Sequence, residues 1–297
     1  MPRYPSYSAF SRRKFMGAAA ISAVAARADD LEAWRQDREQ RLAAPGGWLS
    51  VAGLFWLKDG EQHAGSDPGL EIVLPEPAPP LVGTFRLSGS RVEFAAAPGV
   101  PVMTASGEVV TRRPMRPDHE SGPDPISVGS LDLFVIQRGG RTALRLIDHD
   151  SPRLRDFRGL DWFRPDPAYR VEARLTGQKH TLPLVNIVGD PEPMESPGTL
   201  EFKLAEESCR LDPALEPDGM LFLLFRDATS GRETYGAGRY LRADPPRDGR
   251  VVLDFNRTYN PPCVYTPYAT CPLPPRQNRM TIAVRAGEKM PQQTGKE

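Results

Sequence analysis

Cysteine and histidine are scarce in this 297-residue sequence, with three of the first and four of the second. Three cysteines cannot staple a disulfide-dense scaffold, so a hydrophobic core has to hold the fold. No two histidines stand at metal-ligand spacing, so no metal site is expected. Net charge is absent: 38 Lys and Arg face 38 Asp and Glu, mixed along the chain. No basic stripe therefore points to nucleic acid. Long helices are disfavoured too, because proline (32) and glycine (26) fill nearly a fifth of the chain. No internal repeat is present, and no low-complexity tract beyond Pro75 to Pro80. What remains is enough chain for two domains, or for one large all-β domain with a sizeable core.

Residues 1–28 read as an address. Ser11-Arg12-Arg13-Lys14-Phe15-Met16-Gly17 precedes an Ala-rich run from Ala18 to Ala26, the pattern of a twin-arginine export signal. Ala26-Arg27-Ala28 supplies the small residues of a cleavage site, with Asp29 as the first mature residue. The apolar stretch is far shorter than the roughly 20 residues that span a bilayer. The expected location is periplasmic or extracellular; the other reading is a plain tail with a chance Arg-Arg. Removing the segment takes away five bases and no acid, leaving an excess of five acids. That balance argues against DNA and anionic membranes as partners. No cofactor is expected, and oligomeric state is not legible.

The mature chain reads as mainly β. Leu31, Trp34, Arg38 and Leu42 recur at helical spacing, so an N-terminal helix is expected over 29–44, within an N-terminal segment 29–47 closed by Pro45-Gly46-Gly47. Beyond it, short apolar runs alternate with turn residues, among them Thr84–Leu87, Leu131–Gln137, Thr142–Asp148, Met220–Phe225, Thr234–Leu241, Val251–Phe255 and Thr281–Arg285. A β-sandwich domain is expected over 48–150, a linker over 151–167, a second antiparallel sheet or barrel over 168–290, and a disordered tail over 291–297. In the first half, Gly65-Ser66-Asp67-Pro68 before an Ile-Val-Leu strand, the Ser88–Ser90 hairpin and Ile126-Ser127-Val128-Gly129 before Leu131–Ile136 resemble a forkhead-associated sandwich. The Arg and Ser-x-x-His that such domains use to hold phosphothreonine are missing. The resemblance implies a sandwich and not phosphopeptide binding.

The densest chemistry lies in the last quarter. Arg226 opens Arg-Asp-Ala-Thr-Ser-Gly-Arg-Glu-Thr-Tyr-Gly-Ala-Gly-Arg-Tyr-Leu, and Leu253 opens Leu-Asp-Phe-Asn-Arg-Thr-Tyr-Asn-Pro-Pro-Cys. Phe255, Tyr259, Tyr265, Tyr268 and Leu273 give the following loop its own packing material, so it is expected to be ordered. These motifs, with the run Trp-Leu-Ser-Val-Ala-Gly-Leu-Phe-Trp-Leu-Lys-Asp-Gly-Glu from Trp48 and Asp156-Phe157-Arg158-Gly159-Leu160, resemble the bacterial family called domain of unknown function 1684 over about 31–290. The resemblance implies no activity and transfers no catalytic residue.

Alternation puts Asp254 and Asn256 on one face of a strand, opposite Leu253 and Phe255. Glu233, Tyr235 and Arg239 share a face of the preceding strand. If the two are hairpin neighbours, Asp254 lies near Arg239 or Tyr235, and with Tyr259 and Asn260 they form a cleft for a small polar ligand. The alternative is that Asp254 and Asn256 tie loop backbone together. Cys263 and Cys271 close a short loop and form a disulfide readily in an oxidising compartment; free buried thiols, a metal pair and a nucleophilic cysteine stay open. Cys209 reads as a half-buried strand residue. There is no G-x-S-x-G elbow, and Gly236-Ala237-Gly238 is no dinucleotide fingerprint. Asp148-His149-Asp150 and His63 read as solvated turns. Trp48, Phe55, Trp56, Trp162 and Phe163 read as core or interdomain packing, the alternative being a carbohydrate or lipid surface. Three functions are carried forward: an exported ligand-binding protein, a hydrolase with Asp254 or Glu233 as general base, and a structural or interaction module.

Overall fold

The computed structural model describes residues 20–291. The Arg12-Arg13 motif and residues 292–297 of the expected tail lie outside the described residues. Strands dominate, joined by one long helix, Ala20–Ala43, and several one-turn helices. The helix starts nine residues before the expected Asp29 and runs through Ala26-Arg27-Ala28. It stops where proline removes a backbone donor and Gly46 takes a left-handed φ of 76°.

The chain divides into two compact units. One holds Arg41–Phe157 and Tyr265–Ala269; the other holds the helix up to Gln40, Arg158–Val264 and the chain from Thr270.

The first unit contains two five-stranded sheets. In one, Val51–Trp56, Arg141–Asp148, Leu131–Arg138, Ile126–Val128 and Met103–Thr104 follow in that order. In the other the order is Ile72–Val73, Gly60–Gly65, Gly83–Ser88, Arg91–Ala96 and Arg112–Met115. Alternation sets the second sheet's faces: Phe85, Leu87, Val92 and Phe94 point inward while Arg86, Ser88 and Arg91 are exposed. These residues share one core with Leu133, Val135, Leu144 and Leu146 of the first sheet. The first sheet's central strands are buried on both faces. Val51, Phe134, Ile136, Ala143 and Ile147 form a second cluster, covered by Trp48, Leu54, Trp56 and Tyr268. This explains why Leu131–Ile136 reads as a continuous apolar run broken only by Asp132.

The second unit contains a four-stranded sheet, Glu207–Leu211, Thr199–Leu204, Arg170–Thr176 and Arg250–Asp254, and a three-stranded one, Ala214–Leu215, Leu221–Phe225 and Arg239–Ala243. Neither closes into a barrel. Both contribute to a core containing Phe202, Leu223, Phe225, Leu241, Leu253 and Phe255.

Three strand expectations fail, for physical reasons. Of the expected Leu182–Val188 run only Leu182 is in a strand, because Pro183 has no N–H for a ladder and residues 186–189 form a turn. The strand expected from Thr234 begins only at Arg239, because Gly231 to Gly238 coil into turns; Gly238 has φ 114°, and a Cβ there would sit 2.7 Å from the Phe225 carbonyl. The stretch expected as strand Thr281–Arg285 is not in a ladder. The Val284 carbonyl accepts from the Arg239 side chain instead.

Phe85 is fully buried and its ring lies 4.8 Å from that of Phe94. Phe85→Ala is expected to lower unfolding free energy by about 3–5 kcal/mol in urea titration. A change below about 1 kcal/mol would contradict the packing described.

Candidate functional site

The hairpin expected between the Arg239 and Asp254 strands does not form. Arg239–Ala243 pairs with Leu221–Phe225, whereas Arg250–Asp254 pairs with Arg170–Thr176, which sets Asp254 opposite Arg170. Asp254 and Asn256 therefore act locally. The Asp254 carboxylate caps the turn Phe255–Arg257, accepting from the Asn256 backbone at 3.1 Å and from its side-chain amide at 2.9 Å. Asn256 exchanges two further hydrogen bonds, both 2.9 Å, with the Asp166 backbone. These two residues bind loop to loop, as the alternative reading held.

Arg239 has a different and deeper role. Its side chain is entirely buried and meets Asp227 at 2.9 Å. The guanidinium also donates to the carbonyls of Val284 (2.7 Å), Ala286 (2.6 Å) and Glu288 (3.3 Å). Burial pulls its pKa below the usual arginine value, and the charge of Asp227 opposes that pull. Asp227 in turn accepts from Thr229, through both its N–H and its hydroxyl, and from the Val284 N–H. One ion pair thus fixes both the turn after residue 227 and the extended segment 284–288.

That segment is held from its other side by Glu288. The Glu288 carboxyl is fully buried and accepts from the Asn260 N–H (3.0 Å), the Asn260 side-chain amide (2.9 Å) and Arg38 (3.3 Å). Burial raises its pKa, with Arg38 the chief opposing influence. Arg38 comes from the N-terminal helix, donates to the Asn260 carbonyl at 2.8 Å and lies over the Tyr259 ring at 4.8 Å. Tyr259 also packs against Trp34 and Tyr240, and its backbone exchanges two 2.9 Å hydrogen bonds with Tyr240. Gly287 makes the close approach possible: its φ is 76°, and a Cβ there would lie 2.3 Å from the Thr258 carbonyl. Tyr259 and Asn260 are thus supporting residues.

Backbone bonds carry the chain on. The Glu288 N–H donates to Thr258, Lys289 to Asp161 and Met290 to Glu233, while Phe163 donates to Gly287. The side chains around these bonds line a cleft of about 310 Å³: Asp161, Phe163, Arg232, Glu233, Lys289 and Met290. Of the expected site residues only Glu233 faces it. Asn260 lies behind the wall, donating at 2.7 Å to the Lys289 carbonyl. Glu233 is engaged by both its oxygens with Arg285, at 2.9 and 3.0 Å. Lys289 stands 5.2 Å from the Phe163 ring centre. Sequence reasoning missed Asp161, Arg232, Lys289 and Met290; Arg232 and Lys289 carry a local signal, a cation beside glycine-rich turn sequence, whereas nothing local marks Asp161 or Met290.

Tyr235 and the cysteines form a separate cluster. The expected disulfide is absent: Cys263 and Cys271 are free thiols, and the Cys271 sulfur accepts a hydrogen bond from the Cys263 N–H at 3.2 Å. Cys209 is buried on its strand, and burial raises its pKa. Among the described residues no cluster of three or more His, Cys, Asp or Glu is placed to hold a metal ion. His149 is not a solvated turn residue, since it meets buried Asp132 at 2.8 Å; Ser127 donates to the other Asp132 oxygen at 2.5 Å.

The family model described as protein of unknown function (DUF1684) matches residues 155–289. An uncharacterized protein of Haloarcula marismortui, solved by solution NMR, is 38% identical over 46% of this chain and 80% of its own, with a TM-score of 0.39. The chain belongs to the DUF1684 family. No curated protein matches it. The DUF1684 match starts well after the Trp48 run, so the resemblance drawn from that run is not part of it. The matched stretch holds Asp227, Arg239, Glu288 and every cleft residue except Met290.

Glu288→Ala removes the acceptor of three buried donors at once. It is expected to cost about 3–5 kcal/mol in guanidinium denaturation, the range for breaking a buried, paired group. A loss under about 1 kcal/mol would contradict the network.

Proposed function

We propose that this DUF1684 protein is exported and binds a small polar ligand with an anionic group in the cleft beside the Asn-Pro-Pro-Cys loop. One observation carries the reading: the cleft presents two cations with no ion-pair partner among the described residues, Arg232 and Lys289, while of its two carboxylates, Asp161 and Glu233, the second is already neutralised by Arg285. An anion on Arg232 and Lys289 gains charge-assisted hydrogen bonds without displacing an existing pair. Phe163 and Met290 supply an apolar wall, and Asp161 supplies an acceptor for a hydroxyl or amine of the ligand. This is the usual make-up of a small-molecule site, apolar surface with a few convergent polar groups.

Hydrolysis draws less support. Asp254 is occupied as a turn cap, and both oxygens of Glu233 are held by Arg285, which leaves neither carboxylate free to take a proton from water. Export rests on Arg12-Arg13 and the short apolar run after them. Among the described residues no helix is long and apolar enough to cross a membrane.

A thermal-shift screen of phosphate, sulfate and mono- and dicarboxylates tests the cleft, because a ligand that binds the native state raises its melting temperature. Arg232→Ala or Lys289→Ala is expected to weaken binding of a hit about tenfold or more, with Asp254→Ala binding as wild type. Unchanged affinity in both cleft variants would sink the assignment. Replacing Arg12 and Arg13 together by Lys is expected to leave the chain in the cytoplasm on cell fractionation; undiminished export would refute the twin-arginine route.

A further inference from the structure

Tyr235, Cys263 and Cys271 lie outside the cleft and are not used by it. Three segments bring them together: the turn after Gly231, the one-turn helix Pro262–Val264 and the chain after Thr270. Cys271 is fully buried, and its backbone is fixed by a 2.8 Å bond from the Ile187 N–H to its carbonyl. Its sulfur lies 3.2 Å from the Cys263 nitrogen, so the two sulfurs are within one side chain's reach. Cys263 is only partly buried. The neighbouring Cys271 thiol first, and the Tyr235 phenol after burial, act on its sulfur so that its pKa falls below the usual thiol value despite burial. Tyr235 shifts the opposite way, raised first by burial and then by the neighbouring Cys263 thiol, so the phenol stays protonated beside it. Cys209 shifts the other way from Cys263: burial first, then the charge of Glu207, raises its pKa.

We infer that Cys263 is a reactive thiol with Cys271 as its resolving partner, a two-electron redox site that takes small hydroperoxides. The partly exposed sulfur is the one that attacks, and the buried sulfur behind it completes the reaction. The Cys263 thiolate attacks the near peroxide oxygen and the O–O bond breaks. Cys263 becomes a sulfenic acid, and the departing hydroxide or alkoxide takes a proton from solvent. The Cys271 sulfur then attacks the Cys263 sulfur. The S–O bond breaks, hydroxide leaves as water with the Cys271 thiol proton, and a disulfide forms. Two thiols have lost two electrons to one peroxide, and an external dithiol returns them by exchange.

Full-length protein treated with equimolar hydrogen peroxide is expected to lose two hydrogens, located by peptide mass mapping to a Cys263–Cys271 bridge and reversed by dithiothreitol. Cys271→Ser should stop at the sulfenic acid, trapped by dimedone on Cys263. Tyr235→Phe should slow iodoacetamide alkylation of Cys263 at pH 7 about fivefold. In the unmodified protein Cys263 should alkylate at least tenfold faster than Cys209, a comparison that needs no variant to fold. Equal alkylation of Cys263 and Cys209, or peroxide treatment that leaves both loop thiols free, would overturn the assignment.

Discussion

Arg239 is a charged side chain with no exposed surface, and the second unit is arranged around satisfying it. Taking a guanidinium and a carboxylate out of water costs several kcal/mol per ion, so the Asp227 pair alone does not justify its burial. The planar fork of arginine resolves this by donating to three carbonyls of one passing segment as well. Those carbonyls gain donors without a β-ladder. A chain segment that reads as a strand is therefore held as an extended strap instead.

The strap is what puts the cleft where it is. Arg239 grips residues 284–288 from one side, while Arg38 and Asn260 hold the Glu288 carboxyl. Gly287 permits contact with Thr258 that a side chain would forbid. Lys289 and Met290 then emerge against Asp161 and Glu233 with their backbones already bonded. The turn that carries Arg232 and Glu233 into the cleft also carries Tyr235 to Cys263, and the Thr229–Thr234 hydroxyl pair at 2.8 Å braces it. Cleft and thiol pair thus hang on one turn whose geometry Asp227 sets.

The mainly-β class and the helix face of Trp34 and Arg38 were legible because they depend on local periodicity, 2 for strands and 3.6 for the helix. The order of the Asn-Pro-Pro-Cys loop was legible from its aromatic residues. Strand partners were not legible. Placing Asp254 beside Arg239 assumed that consecutive strands pair, but Arg250–Asp254 pairs with a strand some 80 residues earlier, and nothing local encodes that choice. Nothing near Glu288 in sequence marks its role, because that role depends on Arg38, 250 residues away. In the full chain the helix continues back to Ala20 through the expected cleavage site, because alanine favours helix on both sides of it. Cysteine spacing alone cannot tell a bridge from a free thiol that accepts a backbone hydrogen bond, as Cys271 does from Cys263.

The central claim is that the strap 284–290 is built into the fold through Arg239. Native-state hydrogen exchange on its amides tests this most directly. The N–H groups of Val284, Glu288, Lys289 and Met290 all have acceptors, and the account predicts that Val284 and Glu288 exchange only with unfolding of the second unit, together with the core amides of Leu221–Phe225. Exchange of Val284 and Glu288 at unprotected-chain rates, while Leu221–Phe225 stays protected, would contradict it.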